Sequence, residues 1–270
     1  MKNSVKFSAN TEFVNFKYAK GEIDIYQKMF HESFEIYLFL GGDVEFINNH
    51  TRRKLNPYEL VIVPPGEYHQ FAVRGELELY ERCVIDIAPD FFEDGVLKEA
   101  FSDKELIALS LSDRIVEHYA YLKECAEKLS EKELKYILPA IAVDIVFLIK
   151  NIKGSCKFSQ EDSTRSISFL LMKYIDEYYC DDISLNFLAE HFHSSVSLIC
   201  HKFKSDFGIG IKKYINQKRL LGASRALQSG ENAELVCMKY GFLNYSTFYR
   251  AYKNRYGIAP SETFKRNYNK

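Results

Sequence analysis

The sequence predicts an α+β protein of two domains, because the spacing of its apolar residues and the sign of its charge both change along the chain. Short apolar runs separated by glycine and proline dominate the N-terminal part, whereas apolar residues recur at helical spacing throughout the C-terminal part. From Thr164 to the last residue, 16 Lys and Arg and 9 Asp and Glu give a net charge of +7, and the preceding residues hold 20 and 28, a net charge of −8. This charge difference has two explanations. The two parts have different solvated surfaces without a functional meaning, or the basic C-terminal part binds a polyanion and the acidic N-terminal part does not.

Residues 1–100 are predicted to form a β-barrel or jelly roll. The run FEIYLFLGGDVEFI contains a hairpin signal at Gly41-Gly42, and LNPYELVIVPPGEYHQF is a strand bounded by Pro57 and Pro64. The next run, GELELYERCVIDI, alternates apolar and charged residues. Several short strands separated by regular turns are typical of these architectures.

Residues 101–153 are predicted to be helical, in the segments SDRIVEHYAYLKECAEKL and EKELKYILPAIAVDIVFLIKNIKG. The apolar band of the second segment is so broad that either the barrel or a second copy of the chain must cover it. Residues 154–165, GSCKFSQEDSTR, are polar and hold few large apolar side chains. We interpret them as a linker to an all-α domain at residues 166–270.

The all-α domain contains an internal repeat. The pairs 48 residues apart are Ala189–Cys237 and Phe192–Tyr240, and the pairs 49 residues apart are Ile199–Phe248, Phe203–Tyr252, Phe207–Tyr256 and Gly208–Gly257. Each copy reads as a short helix, a tight turn and a second helix with apolar positions at i, i+4 and i+8, which is a helix-turn-helix pattern. A generic helical bundle would also contain such hairpins. Two copies, a long intervening helix and the positive charge favour DNA binding.

The segments ISLNFLAEHF, FKSDFGIGIKKYINQKRL and YGFLNYSTFYRAYKNRYGIAPSETF resemble the DNA-binding region of the AraC/XylS family of bacterial transcription regulators. The resemblance extends over about a hundred residues, Ile167–Tyr268. It implies two recognition helices that a connecting helix sets into successive major grooves of double-stranded promoter DNA, about 34 Å apart. It also implies a protein that recruits or blocks RNA polymerase.

The resemblance assigns DNA contacts residue by residue. The base contacts would come from Ser197, Cys200 and His201 in the first recognition helix and from Tyr245, Ser246, Tyr249 and Arg250 in the second, and the phosphate contacts from Lys202, Lys204 and Lys253. Arg250 would bind guanine or phosphate bidentately, or else form a salt bridge within the domain. The lysines would otherwise be ordinary solvated residues. His201 stands where the family usually has Arg, so the first unit is expected to read fewer bases.

The segments HESFEIYLFLGG and PPGEYHQF resemble the cupin domain that binds effectors in many such regulators. Its metal-dependent relatives use four ligands, of which His31, Glu35 and His69 are present, while Met29 occupies the fourth position. These three residues would bind a divalent ion, hydrogen-bond a small polar effector, or form a buried His31–Glu35 pair. We expect an effector site at His31, Glu35, Tyr37 and His69, without a metal or another cofactor. A carbohydrate effector would stack on nearby aromatic rings, namely Tyr37, Phe39, Phe46, Tyr68 and Phe71, if they are not simply core.

The resemblance also implies a homodimer that pairs through the helices after the barrel. The candidate dimer contacts are Leu134, Ile137, Leu138, Ile141 and Ile145. No apolar run reaches the roughly 20 residues of a membrane span, and the N-terminal residues lack a secretory signal, so we expect a cytoplasmic location. The alternative function is a metal-dependent cupin enzyme with a helical C-terminal extension. The missing ligand at Met29 disfavours it, and we expect no enzyme activity.

Overall fold

The chain forms two units in the computed structural model, residues 1–163 and residues 164–270. The structure describes residues 4–23, 30–49, 51–93, 95–102, 104–152 and 166–264. The predicted linker, residues 154–165, and Met29 lie outside these residues. Within the described part, no helix has both the length and the apolar character needed to cross a bilayer.

The N-terminal unit consists of two antiparallel sheets and three α-helices. Its strands are β1 (Val5–Asn10), β2 (Val14–Lys20), β3 (Phe34–Gly41), β4 (Val44–Asn48), β5 (Arg52–Lys54), β6 (Glu59–Val63), β7 (His69–Val73), β8 (Glu81–Ile87) and β9 (Leu106–Ala108), and its helices are α1 (Val96–Phe101), α2 (Arg114–Lys128) and α3 (Glu131–Asn151). The six-stranded sheet has the order β1-β2-β8-β3-β6-β9, and the three-stranded sheet has the order β5-β4-β7. The predicted N-terminal β domain is therefore confirmed, and its sheets are antiparallel.

Strand β3 is buried on both of its faces. Ile36 and Leu38 belong to the core that the larger sheet shares with α1, α2 and α3, whereas Tyr37 and Phe39 belong to the core between the two sheets. Successive side chains of a strand point to opposite faces, so these two cores take alternate residues. This double burial explains why β3 reads as a continuous apolar run rather than as an alternating one.

The broad apolar band of α3 is covered by its own unit. Leu134, Leu138, Ile141 and Ile145 are buried in the core between the helices and the larger sheet, and only Ile137 of the predicted dimer residues is partly exposed. For the four buried residues the assignment to a dimer interface is corrected here, because side chains that already fill the core of one unit are not available to a second chain.

The predicted boundary at residue 100 falls inside a helix. Helix α1 (Val96–Phe101) crosses it, and β9 beyond it completes the larger sheet by pairing Ile107 with Leu60 of β6. Residues 101–152 are therefore part of the N-terminal unit. A strand of three residues, LIA, is too short to show the alternation that would have predicted it.

The C-terminal unit is all helical, as predicted. Its helices are α4 (Ile167–Tyr178), α5 (Leu185–His191), α6 (Val196–Phe207), α7 (Ile211–Gln228), α8 (Ala233–Lys239) and α9 (Tyr245–Tyr256). The two helix-turn-helix units are α5–α6 and α8–α9. The side chains of Ser195 and Asn244 cap α6 and α9 by accepting from Leu198 N and Thr247 N, respectively. Both helices end at a glycine with positive φ, Gly208 at +68° and Gly257 at +74°.

The internal repeat is also a repeat of packing. In the first unit, Ala189 of α5 is buried with Ile199 and Phe203 of α6. In the second unit, Cys237 of α8 is buried in the same core as Phe248 and Tyr252 of α9. Because the apolar face of each second helix is used in this way, its other face is left to the solvent.

Candidate nucleic-acid interface and effector site

Helix α6 presents a polar outer face. Ser197, His201, Lys202 and Lys204 are exposed, and Cys200 is partly buried. The opposite face of the helix is fully buried. All five predicted contact residues of the first unit therefore lie on or beside the face that is free to meet a ligand.

The outer face of α9 carries both aromatic and basic side chains. Tyr245, Ser246, Arg250 and Lys253 are exposed, and Tyr249 is partly buried. The Lys253 Nζ lies 5.8 Å from the centre of the Tyr249 ring, and the Arg250 Nε donates to the Ser246 carbonyl oxygen at 3.3 Å. Among the described residues, no carboxylate forms a salt bridge with Arg250. The interpretation of Arg250 as an internal salt bridge thus finds no support.

Helix α7 is tied to the rest of its unit by Arg219, a residue that the sequence did not single out. The Arg219 guanidinium donates to three carbonyl oxygens: Nε to Tyr179 at 2.7 Å, Nη1 to Gly241 at 2.6 Å and Nη2 to Asp181 at 2.7 Å. The first and third acceptors follow α4, and the second lies in the turn between α8 and α9. One side chain therefore fixes the second helix-turn-helix unit to the connecting helix and to the end of α4.

Gly222 allows the rings of Tyr240 and Tyr179 to pack closely against α7. A Cβ atom on Gly222 would lie 2.3 Å from Cε1 of Tyr240 and 3.1 Å from the hydroxyl oxygen of Tyr179. Nearer the start of α7, Asp176 of α4 accepts from the hydroxyl of Tyr214 at 2.6 Å and pairs with Lys218 at 2.9 Å. These contacts make α7 a fixed spacer of 18 residues, about 27 Å at 1.5 Å per residue.

The second helix-turn-helix unit also exposes apolar side chains away from its core. Leu235 and Met238 lie on one face of α8, and Leu243 in the following turn is 93% exposed. An exposed group of apolar side chains often marks a surface that contacts another macromolecule. No signal in the sequence distinguishes these residues, because apolar residues at helical spacing are more often core.

The candidate effector site lies between the two sheets of the N-terminal unit. Glu35 comes from the start of β3, His69 from the start of β7, and His31 precedes β3. The Glu35 carboxylate oxygens lie 3.5 Å from His31 Nε2 and 3.4 Å from His69 Nε2. Both histidines are buried. The three residues that the sequence selected are therefore brought together from two different sheets.

Tyr37 has a structural role beside this group. Its ring stacks on Phe71 with the centroids 3.6 Å apart, and its hydroxyl is hydrogen-bonded to the Tyr80 hydroxyl at 2.8 Å. The aromatic rings considered as a sugar platform, including Phe39, Phe46 and Tyr68, are all buried. The packing therefore supports the interpretation that these rings are part of the core rather than a surface on which a sugar would stack.

The charges in the site are mutually dependent. Burial acts to raise the pKa of Glu35, but the neighbouring His69 and His31 hold that pKa below its usual value. Burial likewise acts to lower the pKa of His69, but the Glu35 carboxylate raises it overall. The buried Arg82 guanidinium also favours an ionised Glu35. The site is therefore suited to a ligand or ion that meets a carboxylate and two imidazoles.

Two protein-family descriptions match the chain. An AraC-like ligand binding domain matches residues 18–132, which contain the His31–Glu35–His69 group, and a helix-turn-helix domain matches residues 188–266, which contain α6 to α9. This chain belongs to the AraC/XylS family. The candidate effector site and the helix-turn-helix units described above thus each lie within a domain typical of this family.

Individual relatives resemble parts of this AraC/XylS chain. The HTH-type transcriptional regulator YdiP of Escherichia coli K12 is 28% identical over 93 residues, 34% of this chain and 31% of that protein. The HTH-type transcriptional activator RhaS of Escherichia coli O139:H28 is 21% identical over 146 residues, 52% of each chain. The chain thus spans 31% of the length of the first relative and 52% of the length of the second. Both are described as transcription regulators, and neither supports the alternative of an enzyme.

Among solved structures, ToxT of Vibrio cholerae O395 aligns over 97% of this chain and 96% of its own, with 13% sequence identity and a TM-score of 0.39.

Proposed function

We propose that this chain is a sequence-specific transcription regulator whose C-terminal unit binds promoter DNA and whose N-terminal unit binds a small-molecule effector. The observation that carries the proposal is the pair of equivalent helix-turn-helix units on either side of one connecting helix, α7, to which Arg219 fixes the second unit. Two recognition helices with polar, basic outer faces and a fixed spacing suit two successive major grooves.

The proposed DNA contacts divide by chemistry. Arg250, with its guanidinium exposed on α9, suits a bidentate contact to guanine O6 and N7. Lys202, Lys204 and Lys253 suit phosphate oxygens, which position the protein without reading sequence. The first unit offers His201 in place of a guanidinium, so we expect it to contribute less base specificity than the second.

The proposed effector is a small polar molecule that meets the Glu35 carboxylate and the two imidazoles. Hydrogen-bond donors such as hydroxyl or amino groups fit an ionised carboxylate. Carbohydrates are the first class to test, although they would bind by their hydroxyls, since Tyr37 and the surrounding rings are packed against one another.

The proposed homodimer needs a surface other than the one predicted. On the outer faces of α2 and α3, Tyr121, Tyr136 and Phe147 are exposed, and Tyr136 is 82% exposed. Large exposed rings favour a contact with a second chain. Light scattering of Tyr136→Glu against the wild type tests this: a monomeric variant supports the surface, and an unchanged dimer excludes it.

RNA polymerase is the proposed protein partner on DNA. Leu235, Met238 and Leu243 are the exposed apolar residues of the second unit, and they support a protein contact there. The test is in vitro transcription with Met238→Glu. Loss of regulation with unchanged DNA binding would support the contact, and unchanged regulation would exclude it.

The central experiment is a fluorescence-anisotropy titration on the DNA upstream of the protein's own gene and on a scrambled duplex of the same composition, over a range of salt concentrations. We expect tighter binding to the native sequence and an affinity that falls steeply with salt, because phosphate contacts release counterions. No binding to either duplex at low salt would overturn the proposal.

A further inference from the structure

We propose that the outer surface of α4 and α5 is a docking site for a basic segment of a partner protein, whose arginine side chains contact exposed rings and carboxylates. The site lies on the first helix-turn-helix unit and on the helix that precedes it. It shares no residue with the proposed DNA contacts or with the exposed apolar residues of the second unit, so it goes beyond the proposed function.

Helix α4 is apolar on two opposite faces. One face is buried in the core of the C-terminal unit through residues such as Met172 and Ile175. The other face carries Leu170, Tyr174 and Tyr178, which follow one another at intervals of four residues and therefore lie in a line along the helix. Leu170 is 44% exposed and Tyr178 is 37% exposed. A helix that is apolar on both faces is normally covered on both, and within the described part of the C-terminal unit this second face is left exposed.

Two rings of α5 extend this face into one aromatic surface. The centroid of the Tyr174 ring lies 4.6 Å from that of Tyr178 and 4.7 Å from that of His191. The His191 ring in turn stacks on Phe187, with the centroids 5.7 Å apart. Phe187 is 42% exposed. A contiguous exposed surface of this kind marks a contact with another macromolecule.

The charge of the same segment is opposite to that of the rest of its unit. Residues 167–192 hold one Lys and five Asp and Glu, a net charge of −4, whereas residues 193–270 hold 14 Lys and Arg and 4 Asp and Glu, a net charge of +10. Four exposed carboxylates of the segment form no salt bridge with any described residue, namely Glu177, Asp181, Asp182 and Glu190. Such a surface repels phosphate and complements a cationic protein, so its partner is a basic polypeptide rather than DNA.

Arginine fits the rings and the carboxylates at the same time. Its planar guanidinium stacks on aromatic faces and binds a carboxylate through two parallel hydrogen bonds. The ammonium group of lysine is a point charge and does not reproduce this geometry. Glu190 lies three residues after Phe187 on α5, so a ring and a carboxylate are neighbours on the helix surface. Apolar side chains between the arginines would pack on Leu170 and Phe187.

The test is a fluorescence-anisotropy titration of the full-length protein against a short labelled peptide in which arginine and leucine alternate. Two matched peptides carry citrulline or lysine in place of arginine. We expect the citrulline peptide, which keeps the shape without the charge, to bind at least about tenfold more weakly. The lysine peptide should bind about two- to fivefold more weakly, because it keeps the charge but loses the stacking.

Three variants locate the bound peptide on the chain. Phe187→Ser removes a ring, and Asp182→Asn and Glu190→Gln each remove one charge with little change of shape. Each should weaken binding of the arginine peptide about two- to fivefold, the scale of an exposed cation–π contact or salt bridge. Glu190→Gln should leave the affinity for the citrulline peptide unchanged. The control is Glu127→Gln, which removes an exposed carboxylate of the acidic N-terminal unit and should bind the arginine peptide as the wild type does.

Three results would overturn the proposal. The first is an absence of binding to the arginine peptide at low salt. The second is equal affinity of the wild type and the combined variant Phe187→Ser/Asp182→Asn/Glu190→Gln, which would place the peptide elsewhere on the chain. The third is a loss of self-association by Phe187→Ser in light scattering, which would assign the surface to a second copy of the chain. Circular dichroism checks that the variants fold, and failure of the DNA titration would leave the peptide result unaffected, so the two proposals fail separately.

Discussion

Replacing Arg219 with alanine should destabilise the C-terminal unit strongly. The guanidinium donates three hydrogen bonds of 2.6–2.7 Å to the carbonyls of Tyr179, Gly241 and Asp181. Buried hydrogen bonds to a charged group contribute about 1.5–3 kcal/mol each. Arg219 is only partly buried, so water can reach the freed carbonyls, and we take about 1 kcal/mol for each bond, hence a loss of about 3 kcal/mol.

The corresponding loss of melting temperature is large enough to measure. For a unit of this size, 1 kcal/mol lowers the melting temperature by about 4–8 °C, so Arg219→Ala should lower it by about 12–24 °C. Differential scanning calorimetry of the full chain measures this transition. Arg219→Lys should lose about two of the three bonds, because an ammonium group does not reproduce the planar fork. Lys212→Ala, at an exposed position of the same helix, should change the free energy of unfolding by less than about 0.5 kcal/mol.

A melting temperature for Arg219→Ala within about 2 °C of the wild type would refute this reasoning. It would mean that the three carbonyls are as well satisfied by water as by the guanidinium. The fixed geometry of the second helix-turn-helix unit would then need another explanation.

Three other substitutions have defined outcomes. Gly222→Ala should cost about 1–3 kcal/mol in urea denaturation, because its Cβ would lie 2.3 Å from the Tyr240 ring; an unchanged midpoint would show that the ring moves at no cost. Arg250→Ala should weaken binding by about 1–3 kcal/mol and relax the preference at one base position in anisotropy titrations, whereas equal weakening on all sequences would assign Arg250 to a phosphate. Glu81 has a pKa below its ordinary value of 4.5, since hydrogen bonds from Lys20 and Tyr18 outweigh its burial. Its stabilisation is therefore present above that value and is lost as the pH falls through the lowered pKa. The stability difference from Glu81→Gln, under about 1 kcal/mol, should vanish in acid melts, and a difference that persists there would contradict the sign.

The helix-turn-helix domain was predictable because each of its signals is local. The internal repeat predicts that Ile199 and Phe248 occupy equivalent positions, and both are buried. Ser195 and Asn244 are favourable N-cap residues, and they directly precede α6 and α9. The β domain was predictable for a similar reason, since Gly41-Gly42 marks the turn of a hairpin. Periodicity and turn chemistry are read from neighbouring residues alone.

Features that depend on distant partners were not predictable. The apolar band of α3 looks the same in the sequence whether its own sheet or a second chain covers it, so the pattern alone does not exclude a dimer interface at Leu138 and Ile145. Arg219 gave no signal, because its acceptors are backbone carbonyls, which every residue carries. The motif selects His31, Glu35 and His69, but only the folded chain brings the Glu35 carboxylate to 3.5 Å from His31 Nε2 and 3.4 Å from His69 Nε2.

The most direct test of the account is the spacing between the two DNA subsites of one chain. Helix α7 is a fixed spacer, so both recognition helices can engage only subsites about one helical turn apart. Anisotropy titrations of the full-length protein on its operator, with 5 or 10 base pairs inserted between the subsites, measure this constraint. We expect both insertions to reduce the affinity by at least about tenfold, equal to about 1.4 kcal/mol. An affinity unchanged by either insertion would contradict the claim that two helix-turn-helix units read DNA from one rigid helix.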